Sequence, residues 1–394
     1  MTPFWRRPRA GRRRADAPEF KDSRAGPMIA LHGTGRPRWT PRDYASLADE
    51  GFVKNPVAYR CVRMIAEAAA SVPLAVFRDG VRRDDDPAAR LLAKPNPEQS
   101  GVEWLEALHI GLQTAGNAYV EGVGGADRAP EELWALRPDR VRIVPGRSGW
   151  PEAYDYEVAG RSVRIGREAD GWSPVMHLRL HHPTDDHYGL SPMEAAAFAI
   201  DVHNASGAWN KALLDNAARP SGALIYGARD GERLTTEQFE TLKAELADSH
   251  QGARNAGRPL LLEGGLDWKP MSLSPAEMNV IEGKHAAARE IGLAFGVPSQ
   301  LLGIPGEATY ANYREAQLAF WRQTVLPLVR KTAGALTGWL GQRSPGLKIE
   351  PDLEAVPALQ PERDALWARL AAAAFLTVEE RRRMAGLGQL EAGE

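Results

Sequence analysis

Apolar residues recur at helical spacing over several long stretches and alternate with polar ones in short runs between them. This pattern predicts an α+β protein. Asn55 as N-cap and Pro56 in the first turn open a helix that carries Val57, Cys61, Ile65, Ala68 and Val72 on one face and stops before Pro73. PLAVFR then reads as a strand. A helix near 101–115 precedes short strands around AYVEGV, LWAL, RVRIV, AYDYEVA and VMHLRL, punctuated by Gly, Pro and Asp. Ser191, Pro192 and Glu194 form a capping box that opens a helix predicted over 192–217. At the helical rise it is about 40 Å long, with Phe198, Val202, Ala205, Trp209 and Ala212 on its apolar stripe.

The stretch 219–272 reads as a small α/β insertion. It comprises strand GALIY, a helix opened by Thr235 and Gln238 with Phe239, Leu242 and Leu246 inward, then strands PLLLE and LDWKPM. Ser274, Pro275 and Glu277 open a second long helix that runs through Met278, Ile281, His285, Ala288 and Ile291 to Phe295, where Gly296, Val297 and Pro298 end it. The loop LLGIPGEATYAN leads into a third, with Leu318, Trp321, Val325, Leu328, Thr332, Leu336 and Trp339 on one face and Pro327 expected to kink or interrupt it. An Ala-rich helix near 362–375 and a short one opened by Thr377 and Glu380 close the chain. There is no internal repeat.

Composition narrows the function classes. The 394 residues are 43% hydrophobic and 25% charged, as expected of a folded protein with a sizeable core. A net charge of -2 argues against a protein that grips nucleic acid over a large basic patch, because phosphate neutralisation supplies most of such affinity. Residues 1–40, rich in Arg, Pro and Gly, read as a basic arm that is either a solvated tail or a contact to DNA or an acidic partner. The single cysteine, Cys61, rules out a disulfide framework and a cysteine-based zinc site, and its place on a helical stripe makes it a buried thiol. No apolar run reaches the roughly 20 residues of a membrane span, and the Arg-rich start lacks a signal peptide's apolar region. The expected location is the cytoplasm, or a particle assembled there.

Catalytic motifs are missing. Gly283-Lys284 lacks the rest of a phosphate loop, there is no G-x-S-x-G elbow, and Gly303 and Gly306 lie in a loop rather than at a strand-to-helix turn. One cluster carries suitable groups: His177, His181, His182, Asp185, Asp186 and His187. A metal-dependent hydrolase is the reading it would support, and a polar turn leading into a helix is the competing one. Trp209, Trp321 and Trp339 fall on apolar stripes and read as core; Trp5, Trp39 and Trp150 do not.

The ordered series NPVAYRCVRMIAEAAASVPLAVF, LLAKPNPEQS, GLQTAGNAYVEGV, VMHLRLHHPTDDHYGLSPMEAA, NAARPSGALIY, GRPLLLEGGLDWKPM, IGLAFGVPSQLLG and TYANYREAQLAFWRQTVLPLV resembles the shorter class of tailed-phage portal proteins, and most of all those of alphaproteobacterial gene transfer agents. The resemblance spans roughly residues 52–340. It implies a non-enzymatic ring, usually a dodecamer, at one capsid vertex, through which double-stranded DNA is packaged and ejected. No cofactor is implied. The implied partners are the major capsid protein, a head-tail adaptor and a separate terminase motor, and another oligomeric head or tail connector is the alternative. The implied regions are an arm (1–40), a wing (41–190), a stem helix (191–218), a clip (219–272) and a second stem helix (273–296). The tunnel loop and wing-return helix (297–342) and a crown (343–394) complete the chain. Ile304, Glu307, Thr309, Tyr310 and Asn312 are then candidates for the DNA path, with Lys284 and Arg289 as candidate channel charges or contacts to a neighbouring subunit.

Overall fold

Local capping chemistry sets most element boundaries. The computed structural model describes residues 39–124, 129–147, 149–215, 222–226, 235, 237, 240–241, 266–270, 279–305 and 310–385. Helix α1 (Tyr44–Leu47), capped by Asp43, continues into a π-helical turn, Ala48–Val53. Helix α2 (Pro56–Ala70) starts as expected: the Asn55 side-chain oxygen accepts from the backbone N–H groups of Val57 and Ala58. Cys61, Val62 and Ile65 on its inner face are fully buried. Strands β1 (Leu74–Arg78) and β2 (Val81–Arg82) follow. Next come α3 (Pro87–Ala93) and α4 (Gly101–Ala115), the latter opened by a reciprocal Ser100–Glu103 capping box.

The strands alternate with turns as their punctuation predicts: β3 (Asn117–Val123), β4 (Glu132–Leu136), β5 (Val141–Pro145), β6 (Pro151–Val158), β7 (Arg161–Gly166) and β8 (Val175–Arg179). They form two antiparallel sheets, ordered β4-β3-β8 and β5-β6-β7. β7 is absent from the elements expected from the sequence because nearly all its side chains are exposed, so it carries no apolar face to detect.

The helix expected over 192–217 is two. Ser191 caps α5 (Pro192–Ala195), Ala196 ends it, and α6 (Ala197–Asp215) follows. The buried face is also not the one predicted. Phe198, Ala205 and Ala212 are exposed, whereas Met193, Ala197, Ile200 and His203 are buried. In an Ala-rich stretch two stripes compete, and the one with small residues lets helix backbones approach closely. β9 (Gly222–Tyr226) pairs with β10 (Leu266–Pro270) in an antiparallel ribbon. Of the rest of the expected insertion only residues 235, 237 and 240–241 are described; PLLLE and Phe239, Leu242 and Leu246 lie outside the described residues.

Helix α7 (Val280–Phe295) packs along α6; its expected Ser274–Glu277 cap lies outside the described residues. Gly296, at φ 68, terminates α7 as predicted, with the Val297 N–H donating to Gly292 O at 2.8 Å. Helix α8 (Tyr310–Phe320) passes through a π-helical turn, Trp321–Val325, into α9 (Leu326–Leu340). The interruption sits where Pro327, lacking an N–H, breaks the ladder. β11 (Leu347–Pro351) then pairs antiparallel with β1, placing Ile349 beside Val76, a long-range pairing with no local signature. Helices α10 (Gln360–Ala372) and α11 (Val378–Met384) end the described chain, the latter with both halves of its Thr377–Glu380 box formed.

From Thr40 onward the chain forms one compact unit. Its main core joins α2, α4, α7 and α9 through Val62, Ile65, Trp104, Leu108, Ile291 and Leu336. Trp172 and Trp339 stack at 5.5 Å, and the Trp339 indole N–H donates to Ser173 O at 2.8 Å. The Arg343 guanidinium lies over Trp172 and pairs with Glu168 at 2.6 Å and Asp170 at 2.8 Å. No helix among the described residues is long and apolar enough to cross a membrane.

Candidate functional site

The two long helices α6 and α7 run together from the core, and their roots are fixed by polar side chains. Asn55, while capping α2, donates from its amide to Asn204 Oδ1 on α6 at 2.9 Å and lies 3.1 Å from His203 Nδ1. Asn204 in turn donates to Glu50 O at 2.9 Å. The Thr40 N–H and hydroxyl both donate to Asp201, the N–H at 3.0 Å. His203, Lys284 and His285 meet between the helices, and burial together with these charges lowers the His203 pKa. Lys284 passes over Gly207, its Nζ 3.9 Å from where a Cβ would stand. Within one chain it therefore serves the α6–α7 contact.

The connection from α7 to α8 is anchored at its base. The Arg289 guanidinium donates to Pro305 O at 3.0 Å, so this candidate channel charge holds the loop. Ile304 is buried, 8% exposed in the single chain. The Thr324 hydroxyl donates to Gly296 O at 2.6 Å. A Cβ on Gly292 would stand 2.9 Å from both Leu302 Cδ1 and Val297 O, so this crossing demands glycine. Sequence reading missed Gly292 and Thr324; the four-residue spacing of Gly292 and Gly296 was the available signal. Glu307 and Thr309 lie outside the described residues, Tyr310 begins α8, and Asn312 is exposed on it.

The His/Asp cluster forms a hydrogen-bonded turn. His177 Nε2 lies 3.0 Å from Asn117 Oδ1, and its ring stacks on Tyr119 at 4.4 Å. Burial and the Arg179 charge push its pKa down to about 3, so the imidazole is neutral. One Asp185 oxygen accepts from the His187 and Tyr188 N–H groups at 2.7 and 2.9 Å, contacts that lower the carboxyl's pKa. The Thr184 N–H donates to His182 Nδ1 at 3.2 Å, and Arg179 donates to Asp186 O. Among the described residues no group of three or more His, Cys, Asp or Glu side chains is arranged to hold a metal ion. The hydrolase reading has no support in this arrangement: the side chains of His177, His182 and Asp185 are taken up in local hydrogen bonds.

The described residues thus form a paired helical strut, α6 and α7, carried on an α+β body. The phage portal protein family model matches residues 56–386. The chain belongs to the phage portal protein family. This portal protein is 41% identical over 350 residues to an uncharacterised protein of Rickettsia bellii, covering 88% of this chain and 90% of that one. It is 25% identical over 311 residues to the portal protein of Enterobacteria phage HK97, covering 75% and 69%. A chain in the neck of a native gene transfer agent particle, computed with C12 symmetry, matches with a TM-score of 0.69 at 53% identity, covering 91% of this chain and 97% of that one. The portal protein is thus a structural component, α+β in fold, and similar to those of gene transfer agent particles.

Proposed function

We propose that twelve copies of this portal protein close into a ring at one vertex of a phage-like gene transfer agent particle, and that double-stranded DNA enters and leaves through the ring's centre. The observation that carries the reading is the α6–α7 pair, rooted in the body through Asn55 and Asp201, with the β9–β10 ribbon lying between the two helices in the chain. Such a strut, repeated around an axis, walls a passage. The C12-symmetric neck of the relative supports twelve as the number.

On this reading the body to residue 190 is the wing, α6 and α7 are the stem, and the ribbon with its surroundings is the clip. The α7–α8 loop is the tunnel loop, and α10 and α11 form the crown. β11 pairs with β1, so the crown begins after it. Glu307, Thr309, Tyr310 and Asn312 face the DNA path, while Ile304 and Arg289 hold the loop's base. The ring performs no chemistry of its own. A terminase motor supplies the packaging energy, and a head-tail adaptor and the major capsid protein dock on the ring in the virion, after assembly in the bacterial cytoplasm.

The test is particle filling. Cells lacking the chain should release particles without nuclease-protected DNA. A chain with Glu307, Thr309, Tyr310 and Asn312 replaced by alanine should assemble rings normally but yield several-fold less protected DNA. Normal filling in the absence of the chain would overturn the reading.

A further inference from the structure

The C-terminal hairpin carries apolar surface that the described part of its own chain leaves open. α10 buries only Leu370 among its described side chains, and α11 buries none. Between them lies a groove of about 270 Å³ lined by Trp367, Leu370, Ala371, Val378, Arg381 and Ala385. Its apolar lining is wet: Trp367 is 44% exposed and Val378 59%. Arg363, ion-paired with Glu354 at 2.9 Å, lies over the Trp367 ring at 5.1 Å and steadies it. In the turn joining the helices Phe375 protrudes, 86% exposed. One surface therefore bears a large apolar knob and, beside it, an apolar hole.

We propose that Phe375 of one subunit seats in the α10–α11 groove of the next, so that the hairpins form a continuous collar around the ring. The proposal rests on the ring reading above. A knob and a hole at different places on one surface make a heterologous contact, which repeats from copy to copy and closes when the rotation per subunit fits. Burying an aromatic side chain of this kind removes roughly 150–250 Å² from water. Charge fits the same geometry. α11 begins with Glu379 and Glu380 and ends with Arg381, Arg382 and Arg383, with Glu379 and Arg383 exposed. Neighbouring hairpins displaced along this short axis meet with opposite signs.

Cys61 is buried and its thiol is pushed up to about 12 by burial, so it stays out of oxidative cross-linking. Differently tagged full-length Phe375→Cys and Ala371→Cys chains, co-expressed and oxidised, should form disulfide-linked heterodimers carrying both tags, while neither chain alone does so. Phe375→Ser should raise the subunit concentration for half-assembly about tenfold, and Phe375→Leu by much less. An intact ring by mass photometry without the heterodimer overturns the proposal and leaves the ring reading standing. Monomers at every concentration overturn the ring reading, and the proposal with it. Removing residues 386–394 should leave cross-linking unchanged; a several-fold gain would assign the groove to the chain's own tail and overturn the proposal.

Discussion

Replacing Asn55 with alanine removes the cap of α2 and the amide that holds Asn204 and His203 on α6. A lost cap costs about 1 kcal/mol and an orphaned buried polar group about 1–3 kcal/mol, so the urea midpoint should fall by the equivalent of about 2–4 kcal/mol. Asn55→Asp keeps the accepting oxygens and should lose less. The cap is legible in the sequence because Asn-Pro ahead of an apolar stripe is a local signal; the amide's partners, about 150 residues onward, are not. His109 is likewise invisible there, being one apolar-face residue among many. Its Nε2 lies 3.1 Å from Thr332 Oγ1, whose own proton goes to Leu328 O at 3.0 Å, so His109 Nε2 is the donor. Burial lowers its pKa to about 4. Between pH 4 and 6.5 the unfolded chain binds this proton and the folded chain does not. His109 thus contributes full stability above about pH 6.5, and that contribution fades as pH falls towards 4, by up to about 3 kcal/mol. Denaturation midpoints measured from pH 7 to 4.5 should fall, and His109→Gln should flatten that slope.

The elements whose ends carry caps or breakers are legible from local sequence alone: α2, α4, the end of α7 at Gly296, the interruption near Pro327 and the Thr377–Glu380 start of α11. Elements defined by distant partners are not. β11 exists because β1 offers an edge far earlier in the chain, and α6 turns its Ala-rich stripe inward because α7 lies against it. The same holds for the Arg343 clamp, which joins the segment after α9 to the loop ahead of β8 across some 170 residues. Its side chain is only 4% exposed and uses both the guanidinium fork and its flat face. Arg343→Lys keeps the charge but loses the second donor and the stack on Trp172. Hydrogen exchange over residues 168–175 should speed up about tenfold or more, corresponding to about 1–2 kcal/mol of local stability. Unchanged exchange would mean the Trp172–Trp339 stack alone holds the two elements together.

For the molecule as a whole, near-neutral charge conceals a division. Residues 1–38 hold ten basic and three acidic side chains of the chain's 49 and 51, leaving 39 against 48 in the remainder. On the proposed reading, a net acidic body that repels phosphate suits a wall past which a duplex slides, and any attraction to DNA would come from the basic arm. Full-length protein should therefore retain linear duplex weakly at low salt, losing it steeply as salt rises, and a chain starting at Trp39 should retain several-fold less. Equal retention would place the DNA contact on the body and remove the sliding argument. The conduit reading follows from the order of motifs, but the roles of single loop residues do not. Only the fold shows that Ile304 is buried and that Arg289 holds Pro305. The decisive measurement is electron microscopy of the purified, assembled protein. A conduit must appear as a closed, twelve-fold ring whose central opening admits a B-form duplex; a solid disc, an open filament or an opening too narrow for duplex DNA would contradict that role.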